Sequence, residues 1–247
     1  MQMLKAAYLN ELYKISKKKK IVVAAVLSIA SVVLAGLIVA GVNNFMGIKV
    51  TGTSEFSILV LSVLNCTLIP LFTLFVCVDM FTGEFVDHTI KQTLTRPVSR
   101  IKVFSSKVLA AATFILADLL FVMIVSLVVS FAIQGMSLSV GKVFVAYLTS
   151  FLPLFVFALF VIVVANITKG TASAFLLSVF AFLVFSGLGM VFGHYQSFFF
   201  TSMFDWYTLF IGSYVNWHKI LRVLLILCGC GMMFFAGGYY LFDKKDI

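Results

Sequence analysis

Six apolar runs divide this chain, each long enough to cross a bilayer and nearly free of charge. A membrane-spanning helix needs about 20 mostly apolar residues. The runs cover residues 21–42, 56–78, 108–133, 143–165, 172–192 and 223–242. Only 11% of the chain is charged and 62% is hydrophobic, whereas a soluble domain carries about 25% charged residues as its coat. The first run follows a lysine cluster, as a secretory signal does. It is longer than the usual signal core of about 7–15 residues and lacks a clear small-residue cleavage site, so it reads as a retained anchor. The expected fold is all-α: a polytopic membrane protein with six transmembrane helices in a single domain over residues 1–247.

The net charge of +9, from 18 Lys plus Arg against 9 Asp plus Glu, would suggest nucleic acid in a soluble protein. Here its distribution decides otherwise. An even number of spans puts both termini on one side, and fourteen of the eighteen positive charges fall on that side. Cytoplasmic loops collect Lys and Arg, so that side is expected to be cytoplasmic, with no nucleic-acid partner implied. Cys66, Cys77, Cys228 and Cys230 all lie in apolar runs, where cysteine behaves as a small hydrophobe; neither a disulfide nor a metal site is indicated. No phosphate-binding G-x-x-x-x-G-K-[ST], no G-x-S-x-G elbow and no H-E-x-x-H zinc motif occurs. The chain is not expected to be an enzyme or to carry a cofactor.

Three segments outside the runs carry pattern. Before the first span, Leu4, Tyr8, Leu12 and Ile15 share one helical arc rimmed by lysines, with Glu11 at its edge. Residues 1–20 therefore read as a helix in the cytoplasmic headgroup layer, or simply as a charged anchor that fixes topology. Residues 193–222 hold both tryptophans, Trp206 and Trp217, with Phe204, Tyr207 and many further aromatics. Aromatic rings with polar tips collect at membrane surfaces. This external cap is expected to contain re-entrant or interfacial helices, either closing a path from outside or forming an aromatic belt.

The third segment, residues 79–107, is the most informative. Glu84 to Leu94 contains good helix formers and no breaker, and Pro97 then stops the helix. Val86, Ile90 and Leu94 form one apolar strip at spacing four, while Phe81 and Phe85 form another on a different side. A short cytoplasmic helix with two apolar faces has to bury both, one against its own bundle and the other against a partner, unless the loop folds back on its bundle alone.

This segment resembles the coupling helix of type-2 ABC exporter permeases, whose pattern reads approximately E-x-x-x-G-T-I-K-x-x-L-x-x-P-x-S-R followed by a lysine. The matching residues are Glu84, Thr89, Ile90, Lys91, Leu94, Pro97, Ser99, Arg100 and Lys107; His88 stands where glycine is usual. The overall layout is similar too, from the basic start through six spans to a decorated loop between spans five and six. The resemblance implies a transmembrane subunit of an ATP-driven exporter in a bacterial plasma membrane. It would pair with a second permease chain, identical or different, and with two ATP-binding subunits that hold ATP and Mg. Glu84, Phe85, Val86, Thr89, Ile90, Lys91, Leu94, Pro97 and Arg100 would form the docking surface. Compact members of the family often export, or give immunity to, antibacterial peptides, and others handle drugs, lipid-linked sugars or ions.

Inside the spans, Asp118 is the one acid at depth, where a carboxylate costs at least about 2.5 kcal/mol. It is either a substrate or cation contact, or a hydrogen-bonded carboxyl joining two helices. Pro70 and Pro153 lie within spans two and four and are expected to kink them, as hinges or as fixed shape. Gly189 and Gly193 form a G-x-x-x-G that permits close helix contact. The competing function is a membrane anchor or assembly factor that recruits a cytoplasmic partner through the same loop. An ion-coupled carrier would favour internal repeats and several midplane charges, and neither is evident.

Overall fold

Because lipid chains are as apolar as leucine, helices in a bilayer associate through close packing and polar contacts rather than by escape from water. The arrangement follows from where small residues allow that approach. The computed structural model describes residues 2–46, 53–87, 99–134, 140–191, 200–212 and 216–245. Its helices are α1 (Gln2–Ser16), α2 (Lys19–Met46), α3 (Thr53–Cys66), α4 (Leu68–Val78), α5 (Glu84–Val86), α6 (Arg100–Gln134), α7 (Val140–Ile167), α8 (Thr171–Val191), α9 (Thr208–Ile211) and α10 (Trp217–Lys244). A π turn, Asp79–Gly83, joins α4 to α5, and a 3-10 segment, Phe200–Tyr207, precedes α9. Six helical stretches among the described residues are long and apolar enough to cross a membrane, and the protein is an all-α, multi-pass membrane protein.

Helix α7 is the hub, packed against α10, the 3-10 segment, α6, α4, α3 and α8. Its buried positions include Ala146, Ser150, Ala158 and Ala165, small residues that let backbones come close. Buried serines are accommodated where the hydroxyl donates to its own helix, as Ser106 Oγ does to the Val103 carbonyl at 2.7 Å and Ser150 Oγ to Ala146 at 2.9 Å. Tyr147 is fully buried and its hydroxyl lies 3.1 Å from Ser126 Oγ and 3.2 Å from the Ser57 carbonyl, tying α7 to α6 and α3.

Span two departs from the single helix expected over residues 56–78. It is two helices in series, broken at Thr67, whose φ of −126° and ψ of −84° are not helical. Pro70 explains the position of the break. Proline lacks the N–H that would reach back four residues, and it is tolerated in the first helical turn, where that donor has no partner anyway. The chain restarts its helix so that Pro70 falls in the first turn of α4. The helix then continues past Val78, through the π turn, to Val86. Pro153 behaves differently, since α7 runs through it unbroken.

Span three also starts earlier than expected, at Arg100 rather than near residue 108, and so carries Lys107 inside the bundle. The last span begins at Trp217 rather than near residue 223. Asn216 caps it, its side chain accepting from the Lys219 N–H at 3.3 Å. Trp217 is thus the first residue of α10, and it is 72% exposed. The apolar arc of α1 faces α6, with Ile15 buried and Tyr8 and Leu12 packed on the core.

The small residue that matters most for packing is Gly36 on α2. A Cβ there would sit 2.6 Å from Val129 Cγ1 and 3.1 Å from Ile133 Cδ1 of α6. Gly193 lies outside the described residues. Gly36→Leu is expected to push α2 off α6 and to destabilise the protein by about 1–3 kcal/mol, the usual cost of overpacking. Thermal unfolding in detergent would read this as a lowered midpoint, and an unchanged midpoint would contradict the close approach.

Candidate functional site: an ion cluster at the root of the 88–98 segment

Lys107 is fully buried on α6. An ammonium taken out of water is tolerated only if it is paired and its donors are used. Its Nζ meets Glu84 Oε2 at 2.6 Å and Glu11 Oε2 at 3.1 Å, and donates to the Met80 carbonyl at 3.1 Å. Lys14 completes the group, 3.1 Å from Glu11 Oε1 and 3.0 Å from Glu84 Oε1. Two ammonium groups thus face two carboxylates, so the cluster is close to neutral, and each carboxylate bridges both lysines. The three chains of contact come from α1, from α5 and from α6. The Phe81 ring lies 5.9 Å from Lys107 Nζ, and Phe104 packs edge-on against Phe81 and Phe235 at 5.7 and 5.3 Å. These rings keep the local dielectric low, which strengthens every pair.

Burial alone would lower the Lys14 pKa, but the Glu11 and Glu84 carboxylates outweigh it and hold it above its ordinary value. A raised lysine pKa means that its stabilising contribution is whole below the ordinary lysine range and lost only as pH climbs through the higher folded value. Lys14 therefore keeps its charge at physiological pH.

The same end of the bundle carries two further caps. Lys245 Nζ donates to the Thr168 and Ala165 carbonyls at 3.2 and 3.4 Å, and Thr82 Oγ1 donates to Ala165 at 2.8 Å, closing the C-terminus of α7. Burial lowers the Lys245 pKa; its Nζ lies 4.4 Å from the Phe85 ring centroid. Arg100 Nη1 donates to the Asp243 carbonyl near the end of α10. Cations at helix C-termini meet the negative end of the helix dipole.

Of the expected docking residues, Glu84 is buried, Phe85 is half-buried against Phe242 at 5.9 Å, and Val86 is 46% exposed. Arg100 opens α6. Thr89, Ile90, Lys91, Leu94 and Pro97 lie outside the described residues. The two described flanks of that segment are therefore both fastened, one by the ion cluster and the other by Arg100 to α10.

A family model for the ABC-2 family transporter protein matches residues 8–187. The chain belongs to that family. The match runs from α1 through α8 and includes every member of the ion cluster. The ABC-2 family supplies the transmembrane component of an ABC transporter and normally works with a separate ATP-binding subunit. No curated protein matches the chain. In this ABC-2 permease, sequence reasoning found Glu84, Arg100 and Lys107 but not what Lys107 touches. The signal was present: a lysine flanked by an apolar run, and a glutamate at the edge of an apolar arc.

At the opposite end, Phe204, Trp206 and Tyr207 are all buried. Phe204 packs edge-on against Phe157 at 6.0 Å, and its carbonyl accepts from Asn65 Nδ2 at 2.7 Å, two residues before the break at Thr67. Trp206 Nε1 donates to the Thr149 carbonyl at 2.7 Å. Thr149 stands four residues before Pro153, so its carbonyl is the one that the proline leaves without a backbone donor. The indole supplies a donor to that carbonyl where α7 passes through Pro153. Thr149 lies about 14 Å along α7 from its start, so the 3-10 segment reaches well into the bundle. Asp118, on α6, is 9% exposed, and its Oδ2 makes no hydrogen bond among the described residues.

Two outcomes follow. Lys107→Met leaves two carboxylates facing a single lysine and is expected to destabilise the protein by roughly 3–5 kcal/mol; adding Glu84→Gln should recover part of that loss in thermal melts, and strictly additive losses would argue against a coupled cluster. Trp206→Phe should cost about 1–2 kcal/mol in the parent but little in a Pro153→Ala background, where residue 153 can donate to Thr149 itself. Equal costs in both backgrounds would separate Trp206 from the proline.

Proposed function

We propose that this chain is the membrane subunit of an ATP-driven exporter in a bacterial plasma membrane, with both termini cytoplasmic. It moves an amphiphilic substrate, such as a peptide antibiotic, a drug or a lipid-like molecule, out of the cell or membrane. The assembly has two ATP-binding subunits, which hold ATP and Mg, and a second permease chain, identical or different. The segment that begins at Glu84 and runs to Leu94 docks in a cleft of the ATPase, with Glu84 as its root in the bundle and Ile90 and Leu94 offering apolar contact.

The observation that supports this reading is the fastening of both flanks of the 88–98 segment. A force applied to that segment by a closing ATPase meets Glu84 on one side, and through it Lys107 on α6 and Lys14 on α1. On the other side it meets Arg100, bonded to α10. A loosely tethered loop would absorb such a movement; a loop rooted in three helices passes it on. Residues 193–222, with Phe204, Trp206 and Tyr207, close the path on the external face, and the fourteen positive charges assigned to the cytoplasmic side set the orientation.

The double substitution Ile90→Asp with Leu94→Asp is expected to abolish co-purification of the ATP-binding subunit in mild detergent while leaving membrane insertion unchanged. Retained association with retained ATPase stimulation would overturn the docking assignment and favour a membrane anchor that recruits a partner elsewhere.

A further inference from the structure

Beside the junction of α1 and α2, an apolar groove of about 270 Å³ runs between α2 and α4. Ala24 and Leu27 form one wall, Leu71 and Phe75 the other, and Phe114 of α6 contributes to the floor. Its polar groups gather at one end, where Lys18, Lys19, Lys20 and Asp79 form the rim. Leu27 and Leu71 lie about eight residues from that rim along their helices, so the apolar part is roughly 12 Å deep. Asp79 is the one acid of the lining among the described residues. Lys20 Nζ bonds its Oδ1 at 2.7 Å and Lys18 bonds its Oδ2. An ammonium has three donors, so both lysines keep N–H groups beyond those given to Asp79, while Lys19 is exposed. Three cations against one carboxylate leave a clear positive excess at the mouth of an otherwise greasy slot. A second, shallower cleft of about 410 Å³ shares Lys20, Phe75 and Asp79 and extends between α4 and α8.

We infer that this groove binds an anionic phospholipid of the inner leaflet, with its phosphate on Lys18–Lys20 and an acyl chain between α2 and α4. The shape and the charge argue together. A free anion has no use for the apolar depth, and a neutral lipid has no use for the cationic rim. Basic clusters just cytoplasmic of a spanning helix attract anionic headgroups, each lysine contributing appreciably at the surface. The second cleft gives the other chain of a diacyl lipid its own place on the far side of Lys20 and Asp79. The inference rests on the proposed orientation, which puts this end of the bundle in the cytoplasmic leaflet, and its test needs no ATPase.

The test is thermal unfolding of the purified full-length chain in detergent, titrated with phosphatidylglycerol, phosphatidylcholine or inorganic phosphate. Phosphatidylglycerol should raise the midpoint saturably, and the other two should not. Leu27→Trp, at a position 46% exposed and hence tolerant of size, fills the groove and should remove the response. Lys19→Gln should raise the half-saturating concentration roughly fivefold, whereas Lys5→Gln, away from the groove, should leave it unchanged. An equal response to phosphatidylcholine, or a full response in Leu27→Trp, would overturn the site in favour of general surface attraction. A response to inorganic phosphate alone would reduce it to an anion site.

Discussion

A lysine side chain with no water around it forces the surrounding chain to bring negative charge to it, and Lys107 obliges two separate segments to do so. Glu11 arrives from the N-terminal helix and Glu84 from the end of span two. Because each carboxylate also reaches Lys14, removing any member leaves the remaining three with one unbalanced charge. Buried ion clusters contribute little net stability compared with an apolar replacement, but they tolerate only one arrangement. That is their use here. The cluster joins α1, α5 and α6 at one point.

The two ends of the bundle are held by different chemistry. At the basic end the contacts are ionic and stop helices: Lys245 and Arg100 cap the C-termini of α7 and α10. At the aromatic end, neutral hydrogen bonds, among them those involving Asn65 and Trp206, join the 3-10 segment to the Thr67 break and the Pro153 turn of α7. The ionic end resists displacement as a block. The described polar contacts of the aromatic end lie in the neighbourhood of a proline and a broken helix.

The number, type and approximate place of the spans were legible because bilayer thickness and the lack of hydrogen-bonding solvent leave a chain few options. The apolar arc of α1 was legible from its spacing, although its partner, α6, was not. Local pattern failed wherever a distant partner changed the rules. Charge at Lys107 argued for ending the span near residue 108, yet Glu11, almost a hundred residues earlier, makes that position habitable and the helix starts at Arg100. Pro70 and Pro153 looked alike in sequence. One stands just after a break and the other inside a continuous helix, where the carbonyl it frees accepts from an indole more than fifty residues downstream. The start of α10 at Trp217 was readable in principle, since Asn216 is a good N-cap residue.

The order of synthesis makes the two polar fixtures unequal. Both carboxylates that neutralise Lys107 precede it along the chain, so the lysine leaves the ribosome with its counter-charges already made and can enter the bilayer as part of a neutral group. The carbonyl of Thr149 has no such provision. Its donor, Trp206, lies 57 residues further on, beyond the whole of span five. Span four is therefore made before the donor that meets this carbonyl in the finished fold. A chain truncated before residue 206 lacks that donor, so the segment after span five completes the polar pairing of span four.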